Sequence, residues 1–240
     1  KLRIAAYYYN RAHEWGKAVS LSTKKAAYAP SNRNTQTIGS IVDFEKIGSR
    51  SPSGIRPGAW QVDEPIGSPS WGYTEGMTIA GPGTIVAKLA DTVSKNGTLL
   101  LNLSPKADGT IPQAQQDTLL AIGRWLDVNG EAIYGTHNWI RFRDELPDGR
   151  PAAANIRFTV KGDALYAILL GARPGDRITI ASLARDSSPS AGAVSAVTML
   201  GAPGTLAFTQ VGSGLTVTLP ATAPCDYATT LNIVGLKLNP

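Results

Sequence analysis

Cysteine is almost missing from this 240-residue sequence: Cys225 stands alone. That excludes an intramolecular disulfide framework and any cysteine-rich zinc site. Histidine is nearly as scarce. His13 and His137 leave little for a histidine-based metal centre or a Ser-His-Asp triad, so no metal and no cofactor is implied. Charged residues make up 17%, below the roughly 25% usual for soluble domains. The balance of 23 basic and 18 acidic residues gives +5, but the basic residues are scattered. Lys24-Lys25 is the one adjacent basic pair, and no dense Lys/Arg run is interleaved with aromatics, so a nucleic-acid partner is not expected. No apolar run approaches the roughly 20 residues that span a bilayer, so no membrane partner is expected.

Hydrophobic residues, at 42%, are enough for a real core and exclude global disorder. The length suits one large domain or two small ones. Lys1-Leu2-Arg3-Ile4-Ala5-Ala6-Tyr7-Tyr8-Tyr9-Asn10 reads as the last turns of an amphipathic helix, without a signal-peptide pattern. A domain seldom opens that way, which creates the expectation of a missing N-terminal part. Composition changes near residue 136. Helical periods and short buried strands precede it, and alternating strands, small residues and turns follow it.

In the first part, short strands are expected at Ala18 to Ser22 and Ile38 to Phe44, and a long loop at Gly48 to Ser70. Trp60 and Trp71, in or beside that loop, argue for order in it. The spacing of Ile85, Val86, Leu89 and Val93 predicts a helix over Thr84 to Lys95. Asn96-Gly97 supplies a left-handed cap, and Leu99 to Leu103 reads as a strand buried on both faces. Thr110 is placed to cap a second helix with Pro112 in its first turn. That helix would turn Leu119, Leu120, Ile122, Trp125 and Leu126 inward and end at Asn129-Gly130.

In the second part, strands are expected at Asn138 to Arg143, Asn155 to Lys161, Ala164 to Leu170 and Arg177 to Ala181. Four more are expected at Ala193 to Met199, Thr205 to Thr209, Leu215 to Leu219 and Thr229 to Val234, with Asp186 to Gly192 as a flexible loop. Helix, buried strand and helix with tight links are the grammar of a β/α barrel or a doubly wound sheet. Regular short strands with turn residues suggest a β-sandwich.

Carboxylates are the remaining source of chemistry. Asp43, Glu45, Asp63, Glu64 and Glu75 lie before the first clear helix, close to Trp60, Trp71 and Tyr73. Glycoside hydrolysis uses two facing carboxylates, and sugar C–H faces pack on aromatic rings. Composition alone is better served by solvated carboxylates and core tryptophans.

Three segments narrow the choice. Trp71-Gly72-Tyr73 is followed by Val93-Ser94-Lys95-Asn96-Gly97-Thr98-Leu99-Leu100-Leu101-Asn102-Leu103-Ser104-Pro105 and Asp108-Gly109-Thr110-Ile111. Trp125-Leu126-Asp127-Val128-Asn129-Gly130-Glu131-Ala132-Ile133-Tyr134-Gly135-Thr136 comes next. Together they resemble the SWGY, VSKGGNLLLNxGPxxDGxI and GxWLxxNGEAIYGT patterns of family 29 glycoside hydrolases, the α-L-fucosidases. Ala6-Tyr7-Tyr8-Tyr9-Asn10 extends the likeness upstream, and the C-terminal region is similar only in type.

The resemblance implies an α/β plus all-β fold: residues 1–136 as the C-terminal part of a (β/α)8-type barrel, and residues 137–240 as an antiparallel β-sandwich. It implies a retaining exo-glycosidase that releases terminal α-L-fucose from a fucosylated glycan or oligosaccharide. It further implies Glu45 as the acid/base, with Asp43 and Glu64 as weaker candidates, and Trp71 and Trp60 as substrate-binding residues. Lys24 lies near a basic pocket residue of the family but matches it poorly. Asn102, Asp108 and Glu131 are assigned to structure, and Cys225 to packing. The family's nucleophile is an aspartate in a Trp-x-Asp motif upstream of the tyrosine-rich helix. No such motif stands upstream of Tyr7, and Trp60-Gln61-Val62-Asp63 has the wrong spacing and position. The alternative is a non-catalytic fragment that binds sugar or self-associates. A barrel missing strands would form a homo-oligomer or associate with an N-terminal barrel fragment. The family implies a secreted or periplasmic setting, which the sequence itself leaves open.

Overall fold

The computed structural model describes residues 2–24, 40–47, 51–146, 154–185 and 192–238. The loop expected at Asp186 to Gly192 falls almost wholly outside them, as does the start of the strand expected from Ile38.

Helix α1 (Leu2–Glu14) leads into β1 (Ser22–Lys24), β2 (Ile41–Glu45), β3 (Trp60–Pro65), β4 (Gly67–Ser68) and β5 (Thr78–Ile79). Then come α2 (Pro82–Ser94), β6 (Gly97–Asn102) and α3 (Gln113–Asn129). The strands β1, β2, β3 and β6 form one parallel sheet in that order. Two expectations change here. The first strand lies at Ser22–Lys24, downstream of the expected start at Ala18. The expected loop over 48–70 contains β3, paired on both sides.

Side chains alternate across a strand, so this sheet has two unlike faces. Val42, Phe44, Trp60, Val62, Glu64, Leu99 and Leu101 share the face that packs against α2. Asp43, Glu45, Gln61, Asp63, Leu100 and Asn102 share the other. On that second face Leu100 is 51% exposed, which corrects the expectation of a strand buried on both sides. The cause is position: β6 is an edge strand.

Helix α2 begins with Pro82 in its first turn and buries Ile85, Val86 and Ala90. It stops at Asn96, whose φ of 71° is left-handed, and the Asn96 side-chain amide donates to the carbonyls of Arg56 and Gly58. At Gly97 a Cβ would overlap the Trp60 ring, so glycine here is dictated by close approach. Helix α3 begins after Pro112 without a side-chain cap. Thr110 is not its cap, because its N–H and hydroxyl both donate to Asp108 Oδ1, at 3.0 and 2.7 Å. Ile122 and Trp125 point inward as expected, but Leu120 is 60% exposed.

After a short 3-10 turn at Gly130–Ala132 the regular elements are strands, apart from a second 3-10 turn at Ala181–Leu183. The sequence runs β7 (His137–Glu145), β8 (Asn155–Lys161), β9 (Ala164–Leu170), β10 (Arg177–Ile180), β11 (Ala196–Met199), β12 (Phe208–Val211), β13 (Gly214–Thr218) and β14 (Ala228–Val234). Two antiparallel sheets result, β11-β14-β9-β8-β7 and β10-β13-β12. One apolar core holds inward residues of both, including Phe158, Leu165, Leu169, Ile178, Ile180, Val217 and Ile233. A second core joins the other face of β9, through Ala164, Tyr166, Ile168 and Leu170, to Ile85, Val86, Ile122 and Trp125 of the helices. Trp125 Nε1–H donates to the Ala228 carbonyl at 2.9 Å, and Asp91 of α2 pairs with Arg157 of β8 at 2.9 Å. Among the described residues no helix is long and apolar enough to cross a membrane.

Candidate active site

Acidic side chains collect where the parallel strands end. In register, Lys24 lies beside Asp43, Glu45 beside Asp63, and Pro65 beside Asn102. Lys24 Nζ contacts Asp43 Oδ2 at 3.1 Å and Asp63 Oδ2 at 2.5 Å. The second oxygen of each aspartate is buried and has no hydrogen-bond partner among the described residues. Desolvation lowers the Lys24 pKa, but the hydrogen bonds to Asp63 and Asp43 outweigh it and hold the ammonium above the ordinary lysine value. Two carboxylates therefore share one cation on the open face of the sheet. Among the described residues no group of three histidine, cysteine or acidic side chains is arranged to hold a metal ion.

Glu45 is the last residue of β2 and is exposed. Lys46 follows with φ 63°, so the chain turns sharply as it leaves the strand. The Lys46 N–H donates to the Asp63 carbonyl at 2.9 Å, and the Ile47 N–H to Glu64 Oε2 at 2.7 Å. Lys46 Nζ lies 5.4 Å from the centroid of the Trp71 ring, a cation–π distance. The Trp71 carbonyl accepts from Asn102 Nδ2 at 2.8 Å and from Ser104 Oγ at 3.0 Å. Ser104 is fixed in turn by buried Gln115, whose side-chain amide bonds both the N–H and the carbonyl of Ser104. Glu45 and Trp71 are thus gathered at the carboxyl end of the same sheet. In open α/β sheets that end is where ligands bind.

Trp60 is not part of this gathering. It is 2% exposed, stacks edge-on to Phe44 and donates through Nε1 to the Lys95 carbonyl at 2.9 Å. Its ring faces are taken up by packing, because alternation along β3 turns it toward α2. Glu64 is buried on that side too, ion-paired with Lys88. Asp43 and Asp63 are bound to Lys24. Lys46, Ser104 and Gln115 carry no signal in the sequence that marks them. Their roles come from contacts between residues distant in the chain. Asn102 stands in the most legible motif of all and serves the structural role expected of it.

Comparison with known proteins decides the family. A family model described as Alpha-L-fucosidase matches residues 3–131, and one described as Alpha-L-fucosidase C-terminal domain matches residues 151–234. The chain belongs to the α-L-fucosidase family. It is 38% identical to tissue alpha-L-fucosidase of Bos taurus over 187 residues, which is 74% of this chain and 37% of that protein. It is 32% identical to the Homo sapiens tissue enzyme over 194 residues, 78% of this chain and 39% of that one. Among solved structures, an alpha-L-fucosidase superposes with a TM-score of 0.78 at 30% identity, covering 97% of this chain and 48% of its own. The Thermotoga maritima alpha-fucosidase gives 0.73 at 31%, covering 95% and 47%. The chain spans less than half the length of each of these fucosidases.

Proposed function

We propose that this chain is the C-terminal portion of a retaining α-L-fucosidase that releases terminal α-L-fucose from a fucosylated glycan or oligosaccharide. Residues 1–136 are then the closing part of a (β/α)8-type barrel, and residues 137–240 a β-sandwich that buttresses it. The observation that carries the reading is the gathering of Glu45 and Trp71 at the carboxyl ends of parallel strands, the end at which barrel enzymes build their sites.

In this reading Glu45 is the acid/base. It protonates the glycosidic oxygen as an aspartate attacks the anomeric carbon, then takes a proton from the water that releases the sugar. Trp71 offers a ring to the apolar face of fucose, and Lys46 and Asn102 hold that ring and its backbone in place. Trp60 supports the sheet and does not touch sugar. The attacking aspartate lies outside these 240 residues. The two carboxyl groups of a retaining pair stand only about 5–5.5 Å apart, so the site is complete only once the rest of the barrel is docked.

The test is hydrolysis of a chromogenic α-L-fucoside by the chain alone and after addition of an N-terminal barrel fragment. The expected result is turnover only in the complemented sample, with Glu45→Gln reducing it about 100-fold or more. Turnover by the verified 240-residue species alone would move the nucleophile into this chain, with Asp43 and Asp63 as first suspects. A second reading has its own support. An apolar cavity of about 470 Å³ opens between α2, β6 and α3, lined by Leu89, Leu99, Leu101, Ile122 and Leu126. With the exposed Leu100 it favours a self-associating fragment, which light scattering would reveal as a mass well above 25.3 kDa.

A further inference from the structure

Glu64 is a buried carboxylate with no part in the proton transfers above. Its side chain is 8% exposed, and both of its oxygens are engaged. Oε1 is ion-paired with Lys88 of α2, and Oε2 accepts the Ile47 N–H at 2.7 Å. We infer that Glu64 is a positioning residue for Glu45, an inference that rests on the reading of Glu45 as the acid/base.

The turn after β2 has little to hold it locally. Lys46 is left-handed at φ 63°, a conformation unfavourable for a non-glycine residue. Two successive N–H groups tie the turn to β3. Lys46 N–H goes to the backbone carbonyl of Asp63, and Ile47 N–H to the Glu64 side chain. The first tie is an ordinary backbone bond. The second is made to a charged acceptor, which makes it the stronger of the two. Lys88, on the middle of α2, in turn anchors that acceptor to the helix. A strut therefore runs from α2 through Lys88 and Glu64 to the residue two places beyond Glu45. The same strut fixes where Lys46 leaves the sheet, and so where its ammonium meets Trp71. A misplacement of about 1 Å at a reacting group can cost about 100-fold in rate. That is the scale of error the strut prevents.

A merely structural role would be to neutralise Lys88. Replacing both partners separates the two, because Glu64→Leu with Lys88→Leu leaves no unpaired charge but frees the Ile47 N–H. In the 240-residue chain, the amide exchange of Ile47 is expected to rise about tenfold in this double variant, the equivalent of one lost hydrogen bond to a charged group. In Glu64→Gln it is expected to stay slow, since the glutamine oxygen still accepts. In the complemented enzyme, kcat should fall about 10- to 100-fold in the double variant, with KM within about twofold, and Glu64→Gln should recover most of the loss. A folded double variant with unchanged Ile47 exchange, or with kcat restored, overturns the inference. Where the double variant melts early, Lys88→Met decides. Faster Ile47 exchange in it is expected, because Lys88 anchors the acceptor of that bond, and exchange as slow as in wild type would overturn the strut. Full activity in Glu45→Gln would sink the reading of Glu45 instead, with the exchange measurements still reporting on the strut.

Discussion

Lys24 holds two aspartates with one ammonium, and its raised pKa has a consequence for stability. A lysine favoured in its charged form by folding stabilises the fold below its ordinary pKa of 10.5. That contribution is lost as pH rises through the higher folded value. The difference in denaturation midpoint between wild type and Lys24→Met should therefore hold steady from about pH 7 to 10 and shrink above about 10.5. Cys225 also shows how surroundings set chemistry. Burial raises its thiol pKa despite the hydrogen bond from Asn129, so it should react slowly with a thiol reagent at pH 8 in the native chain and quickly once denatured. Asn102 acts through another residue. Asn102→Ala removes the bond to the Trp71 carbonyl, worth about 1 kcal/mol. The expected result in the complemented enzyme is a raised KM for a fucoside, with a melting temperature close to wild type.

Elements show where sequence reading succeeds and where it stops. The α2 helix is legible because its signals are local: apolar residues at helical spacing and a residue at its end that tolerates left-handed backbone. The long stretch before it is not, because the alternation in β3 runs only from Trp60 to Asp63, too short to mark a strand amid the surrounding Gly, Pro and Ser. Trp60-Gln61-Val62-Asp63-Glu64-Pro65 becomes a strand by pairing with β2 on one side and β6 on the other, and both partners are distant in the chain. The same nonlocal cause buries Trp60, whose ring lies where a Cβ at residue 97 would need to be. Gly97→Ala should therefore destabilise by about 1–3 kcal/mol through overpacking, seen as a lower urea midpoint. Glu45 enters as a candidate through the family likeness. The ties that hold it, from Asp63 and Glu64, are not legible, since no spacing in the sequence announces them.

Across the whole molecule, the change of grammar near residue 136 is a change of secondary structure, while the core continues past it. Asp91 bonds Arg157 and Lys95 together, and both cations lie over the Phe142 ring, at 5.5 and 5.4 Å. Removing Arg157 takes one of its two cations from Asp91 and leaves Lys95 as the other. Arg157→Met should cost about 2–3 kcal/mol, less than the 3–5 of a fully enclosed pair because Asp91 keeps some contact with solvent. A denaturation curve for the variant measures it, and a loss below about 0.5 kcal/mol would mean the cluster is no stronger than a surface pair.

Strand β9 is buried along its entire length, one face against the second antiparallel sheet and the other against α2 and α3. In the vocabulary of protein engineering, the antiparallel part is not a plug-in module. Transplanting residues 137–240 onto another scaffold would bring Tyr166, Ile168 and Leu170 along without their cover, and the graft would aggregate. The smallest portable unit includes both helices, and with them the strand ends that carry the candidate site.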